Sequence, residues 1–268
     1  MRRALRRSCC AGLAVSLLAT GCAVTRPRPV APEAAAVPSA GALEARLQTR
    51  RDALHSLRAL ARLRYEDPDG AHTSREALIV ARPDRLRVEV LSVFGALFVV
   101  TADNGHLAAY ARQEATVYRG PASPENLSRY ARVALPVREL IDVVLATPQL
   151  RPGHTARASY DAGVGAVRLS RDLDDGQQSI WFSPALVPVA AEARDADGTL
   201  RWRATFAEFE EHGGVPVATH VTLDLTPFAS SIDIALEDVD VNPNLDNSLF
   251  ALQTPPGSKV VELAPVAD

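Results

Sequence analysis

The residue types that most often catalyse reactions or bind metals are scattered along this chain of 268 residues. The sequence contains no Gly-x-Ser-x-Gly nucleophile motif, no His-Glu-x-x-His metal motif and no glycine-rich phosphate-binding loop. The histidines occur singly, as histidines in turns and on surfaces do. They are His55, His72, His106, His154, His212 and His220. We therefore expect no catalytic site, no metal site and no cofactor.

Two groups of oxygen-bearing side chains are the remaining candidates for binding a cation. Asp172, Asp174 and Asp175 precede Gly176 in a pattern similar to a calcium loop, but no glutamate follows at the spacing that such a loop requires. The asparagines and aspartate of residues 242–247 belong to types that also cap helices and stabilise turns without a metal. We interpret both groups as turns.

Charge and cysteine content exclude further classes of function. The formal net charge is −3, and loss of the four arginines among the first seven residues would change −3 to −7. A chain without a net basic field is poorly suited to neutralise phosphates, so nucleic-acid binding is disfavoured. All three cysteines, Cys9, Cys10 and Cys22, lie in the first 22 residues, which leaves none for a disulfide in the rest of the chain.

The thiol of Cys22 is the side chain with the clearest chemical role. Residues 1–8 are basic, residues 9–20 are apolar or small, and Gly21 and Cys22 follow directly, which is the layout of a signal peptide over residues 1–21. The apolar run is shorter than the roughly 20 residues that span a membrane. Leu18-Ala19-Thr20-Gly21-Cys22 resembles the lipobox of bacterial lipoproteins, whose cysteine is acylated, for example with palmitate. The alternative is an ordinary secretory leader with an incidental cysteine.

The segment after Cys22 indicates where such a protein would work. Ala23 fits the enterobacterial pattern in which a residue other than Asp directs a lipoprotein to the outer membrane. Residues 22–40 contain four prolines among small residues, a composition that neither packs as a core nor continues a helix. Fully extended, this tether would reach about 55 Å at roughly 3.1 Å per residue. We therefore predict a single domain, residues 41–268, anchored at the outer membrane and facing the periplasm.

Alternating apolar residues predict a mainly β domain of the α+β class. Leu86, Val88 and Val90 alternate with charged residues, and the same period of two recurs in residues 202–206, 221–225 and 232–236. Turn signals such as Asp67-Pro68-Asp69-Gly70 join these runs, so we expect antiparallel hairpins and about ten strands.

Three helices are predicted beside the strands. Leucines at helical spacing place an amphipathic helix at about residues 42–56. Ser123-Pro124-Glu125 is typical of a helix N-terminus. Pro136 begins a further helix, and residues 137–144 carry one apolar stripe.

A sheet with one apolar face has to curl around these helices to exclude water. We therefore predict a curved antiparallel half-barrel wrapped over a few helices, a shape that can leave an apolar cavity. The candidate cavity residues occupy inward positions of three strands and are Val88, Val90, Leu223, Leu225, Ile232 and Ile234. Two alternatives remain open, an open cavity for an aliphatic ligand and a filled aliphatic core.

Several short segments carry a resemblance to a known family. They are Cys22 after its leader, residues 83–90, Val93-Phe94-Gly95 between two strands, and residues 135–140 in the helical insert. The ending, with Asn242-Pro243 and Pro255-Pro256-Gly257, is also similar. In these segments the chain resembles the LolA/LolB family of periplasmic lipoprotein carriers and receptors, and LolB-like outer-membrane lipoproteins in particular. The resemblance implies an apolar cavity, between the sheet and its helices, that holds acyl chains.

The same resemblance implies a role for the loop before Gly95. LolB-like receptors present an apolar residue just before a glycine and use it to place lipoproteins in the membrane. Phe94 stands at that position, and Leu97 is a second candidate for the membrane-insertion loop. Residues 93–100 contain no polar residue. The alternative to an exposed, membrane-touching tip is therefore a strand pair that is buried on both faces.

Two functions follow from these features. The leading hypothesis is a non-catalytic outer-membrane lipoprotein that binds acyl chains of lipoproteins or lipids and aids lipoprotein localisation. Its partners would be the membrane, through acylated Cys22, the acyl-chain cargo and a periplasmic carrier protein. The alternative is an envelope assembly or scaffold lipoprotein that has a filled core and acts by protein–protein contact.

Overall fold

The structure of the protein, a computed structural model, describes residues 37–264. The predicted signal peptide of residues 1–21, Cys22 and the tether as far as residue 36 lie outside the described residues. Residues 37–264 form one 14-stranded sheet with three α-helices. The sheet is curved and unclosed, since its two edge strands do not pair with each other. The predicted mainly β half-barrel is confirmed.

The strands follow one another in a meander, which two helices interrupt between the sixth and seventh strands; we call these two helices, residues 124–144, the helical insert. The helices are α1 (Ala40–Ala53), α2 (Pro124–Ala131) and α3 (Val137–Val144). The strands before the helical insert are β1 (Ser56–Asp67), β2 (Gly70–Ala81), β3 (Arg85–Ser92), β4 (Gly95–Asp103), β5 (His106–Ala111) and β6 (Thr116–Pro121). The strands after it are β7 (Arg157–Asp161), β8 (Ala166–Leu173), β9 (Gly176–Phe182), β10 (Pro188–Asp195), β11 (Leu200–His212), β12 (Val215–Leu225), β13 (Ser230–Val241) and β14 (Lys259–Glu262).

The sheet has the order β14-β6-β5-β4-β3-β2-β1-β13-β12-β11-β10-β9-β8-β7. Strands β1 and β13 pair antiparallel at its centre and join the two halves of the meander. Every neighbouring pair is antiparallel except β14 with β6, which is parallel. Fourteen strands form where about ten were expected, partly because the edge strands β7 and β14 are only five and four residues long. Such short strands carry too little alternation to be recognised, and they form by pairing with an available edge.

Tight turns join the hairpins at the predicted positions. Asn104 and Gly105 both have positive φ, 49° and 77°, as a two-residue type I′ turn requires. Asp67 begins the β1–β2 turn, and its Oδ1 accepts hydrogen bonds from the backbone N–H groups of Asp69 and Gly70. The side chain therefore stabilises the turn that sets the register of these two long strands.

Helix α1 ends three residues before the predicted boundary. Ser39 caps its start, because Ser39 Oγ accepts a hydrogen bond of 3.2 Å from the N–H of Ala42. After the helix, the backbone N–H groups of His55 and Ser56 donate to Asn242 Oδ1 at 3.0 and 3.2 Å. Asn242 directly follows β13, and its side chain accepts hydrogen bonds from N–H groups that would bond to helix carbonyls if α1 continued. The helix therefore ends here, and the chain continues into β1. In the same group of residues, Asp246 Oδ1 accepts a hydrogen bond of 2.8 Å from the N–H of Ser248, which is a capping contact of the predicted kind.

The helical insert has the two predicted starts. Ser123 Oγ accepts a hydrogen bond of 3.3 Å from the N–H of Asn126, and Pro124 is the first residue of α2. Helix α3 begins directly after Pro136. The apolar stripe of α3 is buried, and it joins the inward side chains of the sheet and Leu43 and Leu47 of α1 in one continuous apolar cluster.

A cluster of ion pairs connects two of the helices with the end of a strand. Arg51 of α1 pairs with Asp142 of α3 at 2.7 Å between Nη1 and Oδ1. Arg82, which follows β2, pairs with the same carboxylate and also donates to Thr147. The three charged side chains are each 15% exposed. This cluster connects α1, α3 and the end of β2.

Residues 242–258 cross the outer face of the sheet before β14 pairs with β6. Arg87 Nη1 donates to the carbonyl oxygen of Leu249 at 2.8 Å. Phe250 is buried, and the guanidinium of Arg85 lies 5.0 Å from its ring centroid. This segment covers the outer side of β3 and leaves the inner side to the helices. None of the described helices has the length and hydropathy needed to cross a membrane.

Candidate functional site

An apolar cavity of about 690 Å³ lies between the concave face of the sheet and the helical insert. Side chains from β1 to β4, from β12 and β13, and from α3 line it. Inward residues of β3 and β4 such as Val88, Val90 and Phe98 are only half-buried, although they face the same side as the core. They keep accessible surface because the cavity beside them is open. Its volume falls in the range of about 300–1,000 Å³ that is typical of small-molecule sites.

Five of the six predicted cavity residues line this space. Val88 and Val90 of β3, Leu223 of β12, and Ile232 and Ile234 of β13 all contribute to its wall. The register brings them together: Leu223 lies opposite Ile232, and Tyr65 of β1 lies opposite Ile232 on the other side. The period of two in the sequence identified these positions because a pleated strand places alternate side chains on one face.

Leu225 lies outside the cavity, contrary to the prediction. It is buried with 3% of its surface exposed, but it is at the end of β12 and lines a second cavity of about 770 Å³. An inward orientation alone therefore does not place a residue in the apolar cavity, because its position along the strand decides which cavity it lines.

The second cavity has a charged wall. Glu139, Arg151, Asp175 and Arg201 line it together with Trp202. Arg151 Nη2 donates to Asp175 Oδ2 at 3.0 Å, and burial raises the pKa of Glu139 above its ordinary value. Opposite charges across the wall make this cavity less suited to a hydrocarbon chain than the first.

Aromatic and basic side chains form a more polar part of the lining of the apolar cavity, which we call the rim. The rings of Tyr118 and Tyr130 lie 5.0 Å apart between centroids. Arg132, at the end of α2 with a φ of 59°, places its guanidinium 5.7 Å from the ring centroid of Tyr65. Arg129 also lines the cavity and, like Arg132, is exposed. This rim suits the polar part of an amphipathic ligand whose apolar part lies inside.

One carboxyl group lies inside the apolar wall. Glu76 of β2 is 8% exposed, and in register its neighbours are Ala61 of β1 and Val90 of β3. Ser74 Oγ donates to Glu76 Oε1 at 2.8 Å. Burial raises the pKa of Glu76, and the hydrogen bond from Ser74 opposes this effect to a smaller extent. Sequence reasoning missed Glu76, although its position two residues before Leu78 and four before Val80 placed it on the inward face.

The candidate membrane-insertion loop is exposed. Phe94 has 82% of its surface exposed, Val93 has 93% and Leu97 has 36%. Of the two alternatives left open, the structure therefore has an exposed tip at Phe94, while Val99 and Val100 further along β4 are buried. The insertion role of Phe94 and Leu97 stays a prediction.

Polar contacts hold the tip in place. Ser92 Oγ accepts a hydrogen bond of 3.2 Å from the N–H of Phe94 and donates to the carbonyl oxygen of Gly95 at 2.7 Å. Arg112 Nη1 donates to the carbonyl oxygen of Phe94 at 2.7 Å. Gly95 has a φ of 99°, which only glycine adopts readily. The Phe94 ring is thus presented to solvent by an ordered turn.

The groups considered for metal binding lie in turns or in hydrogen-bonded pairs. Asp174 and Asp175 form the turn between β8 and β9, as interpreted from the sequence. His220 Nε2 lies 2.6 Å from Asp233 Oδ2, which raises the pKa of His220. Within residues 37–264, no group of three or more histidine, cysteine, aspartate or glutamate side chains is close enough together to hold a metal ion.

No protein-family model matches the chain, and no curated protein is significantly similar to it. Solved structures are similar in fold. A DUF1329 family protein from Desulfovibrio piger superposes with a TM-score of 0.55 at 14% identity, over 79% of this chain and 95% of that one. A LolA superfamily protein from Nitrosomonas europaea gives 0.53 at 13% identity, over 80% and 98%.

A domain from Vibrio parahaemolyticus described as an outer membrane lipoprotein-sorting protein domain also gives a TM-score of 0.53 at 13% identity, over 78% of this chain and 95% of that one. The chain therefore has a LolA-like fold, which confirms the resemblance at the level of the fold. At this identity the similarity carries the architecture alone, and function has to be argued from the residues of the site.

Proposed function

We propose that this protein is a non-catalytic envelope lipoprotein that binds acyl chains in the apolar cavity and takes part in lipoprotein or lipid transfer. The observation that carries the proposal is the open aliphatic cavity of about 690 Å³, with the half-buried side chains of Val88, Val90 and Phe98 in its wall. Transfer of a chain from water to such a wall is favourable by about 0.8 kcal/mol per buried methylene. Binding of this kind needs no covalent step.

The proposed location rests on the N-terminal sequence. Acylated Cys22 would anchor the protein in the outer membrane, facing the periplasm, and the tether would let the domain of residues 41–268 reach away from the bilayer. A single acyl chain gives marginal binding, with an association constant of about 10⁴ M⁻¹, whereas two or more chains on one cysteine make a lasting anchor.

The proposed route of the cargo uses the exposed hairpin. Phe94 would enter the membrane surface while the cavity releases or receives an acyl chain, and a periplasmic carrier would supply the cargo. Support comes from the exposure of Phe94 and Val93 and from the hydrogen bonds that hold their turn. Large exposed apolar side chains of this kind are typical of contact sites.

The test is native mass spectrometry of the chain carrying Cys22→Ala, which cannot be acylated, with a cleavable secretory leader in place of residues 1–21. The protein is purified from the periplasm without detergent. We expect a bound acyl species of defined mass that a fluorescent fatty acid displaces. A protein that carries no lipid and binds no probe would contradict the proposal and favour the scaffold function instead. Fractionation of cells tests the anchor, because the unaltered chain should be found with the membrane and the Cys22→Ala chain with the cleavable leader should be found in the soluble fraction.

A further inference from the structure

The inward side chains of β2 pass from exposed to buried along the cavity wall. His72 is exposed, Ser74 is half-buried, Glu76 is 8% exposed and Leu78 is 6% exposed. All four line the cavity. Glu76 is thus the first buried position along this row of side chains, where the polar start of an acyl chain would meet its hydrocarbon part.

The carboxyl group at this level lacks a full set of hydrogen-bond partners. Glu76 Oε1 accepts one hydrogen bond, from Ser74, and within residues 37–264 no basic side chain forms an ion pair with Glu76. Its neighbours across the sheet, Ala61 and Val90, are apolar. A carboxylate accepts several hydrogen bonds, and leaving one buried with few partners is unfavourable.

A bound hydrocarbon chain alone would leave the Glu76 carboxylate with fewer hydrogen bonds, because it would displace water and supply no donor. A ligand with an N–H or O–H group beside its acyl carbonyl would replace that water with a charge-assisted hydrogen bond. The carboxylate of a free fatty acid would instead place a second negative charge next to the first.

We propose that Glu76 selects acyl ligands that carry a hydrogen-bond donor close to the acyl carbonyl, as in an N-acyl amide or a β-hydroxyacyl group. This inference rests on the proposed function, since it assigns the chemistry of the same cavity. Glu76 accepts the donor hydrogen, Leu78 and Val88 contact the start of the chain, and the rim of Arg129 and Arg132 faces whatever polar group lies beyond.

The experiment compares three competitors of equal chain length for displacement of a neutral probe, a fluorescent fatty-acid methyl ester, from the full chain carrying Cys22→Ala. They are an N-methyl alkanamide, the methyl ester of the β-hydroxy acid, and the plain methyl ester, which has no donor. The protein also carries either native Glu76, Glu76→Leu, or the control Glu66→Gln, which removes an exposed carboxylate that pairs with Arg64 on β1. Because burial raises the pKa of Glu76, the measurements are made at about pH 8, well above the ordinary value of 4.5.

With native Glu76 we expect the amide, the hydroxy ester or both to bind about tenfold more tightly than the plain ester, the effect of one hydrogen bond to a charged group. Glu76→Leu should abolish this preference by weakening the donor ligands and strengthening the plain ester, and Glu66→Gln should retain it. The comparison between variants cancels differences in solubility among the ligands. Thermal unfolding checks that Glu76→Leu is folded.

The outcomes separate this inference from the function on which it rests. Preference for the amide alone or for the hydroxy ester alone supports the inference and identifies the source of the donor. Equal binding of all three ligands, or a preference that survives Glu76→Leu, overturns it while acyl binding itself stands. Failure of the protein to bind the neutral fluorescent ester overturns both.

Discussion

Ser74 donates its hydroxyl hydrogen to Glu76 at 2.8 Å on the concave face of β2, and this is the hydrogen bond that the described residues offer to the buried carboxyl group. The two residues are separated by one position and therefore share a face of the strand. One hydroxyl offsets only part of the desolvation of a carboxylate, so the pKa of Glu76 stays raised. The wall of the cavity accordingly contains a group whose charge depends on pH and on what occupies the space beside it.

Glu76→Gln should stabilise the protein above neutral pH and have little effect in acid. Because the folded pKa of Glu76 lies above its ordinary value of 4.5, the folded state binds more protons than the unfolded state, and stability falls as pH rises from that value through the folded pKa. We expect the variant to be more stable by about 1 kcal/mol or more at about pH 8, with a difference that disappears near pH 4. Urea unfolding at both pH values measures it, and a difference that grows in acid would contradict the prediction.

Phe94→Glu should leave the fold intact and impair contact with membranes. The side chain is 82% exposed, so the free energy of unfolding should change by less than about 0.5 kcal/mol. Losing the insertion of one phenylalanine should lower partitioning to lipid vesicles by about tenfold or more. Flotation with vesicles measures this on the Cys22→Ala background, where no anchor masks the effect. The control is Val164→Glu, an exposed apolar residue between β7 and β8, and equal losses for both variants would argue against a specific role of Phe94.

Val88→Phe should fill part of the cavity and weaken acyl binding by about tenfold or more, because the added ring occupies the space of the chain. The cost in stability should stay below about 1 kcal/mol, since the ring enters open volume rather than a packed core. Displacement of a fluorescent fatty acid gives the affinity and urea unfolding gives the stability. Thr205→Phe adds the same ring at an exposed position of β11 and should leave the affinity unchanged. Undiminished binding by Val88→Phe would place the ligand elsewhere.

Asp142→Ala should destabilise the protein by about 3 kcal/mol, because it leaves the largely buried guanidinium groups of Arg51 and Arg82 without their shared partner. Asp240→Ala is the matched control. Asp240 pairs with Arg58 at 2.6 Å, but both side chains are about half exposed, so its loss should cost less than about 1 kcal/mol. Urea unfolding measures the loss of stability in the two variants. Equal losses would show that the cluster of Arg51, Arg82 and Asp142 does not stabilise the packing of α1 and α3.

Local patterns in the sequence determined most of the elements of this protein. Leu86, Val88 and Val90 alternate with charges, so they form a strand with one apolar face wherever that strand is placed. Ser123 and Pro124 begin a helix because a serine oxygen accepts the free N–H groups of its first turn and proline donates none. These are interactions among residues near one another in the chain, which is why they can be read before the fold is known.

Relationships between distant residues were decided by the tertiary structure. Helix α1 stops where it does because Asn242, from the end of β13, binds the N–H groups of His55 and Ser56. Leu225 has the same inward orientation as Leu223, but the helical insert leaves space beside one and places the other at a different cavity. The alternation of β2 includes Glu76, yet its burial depends on Ala61 and Val90 from neighbouring strands. Burial, cavity shape and the partners of a polar group are sums over contacts from many strands, and no local pattern contains them.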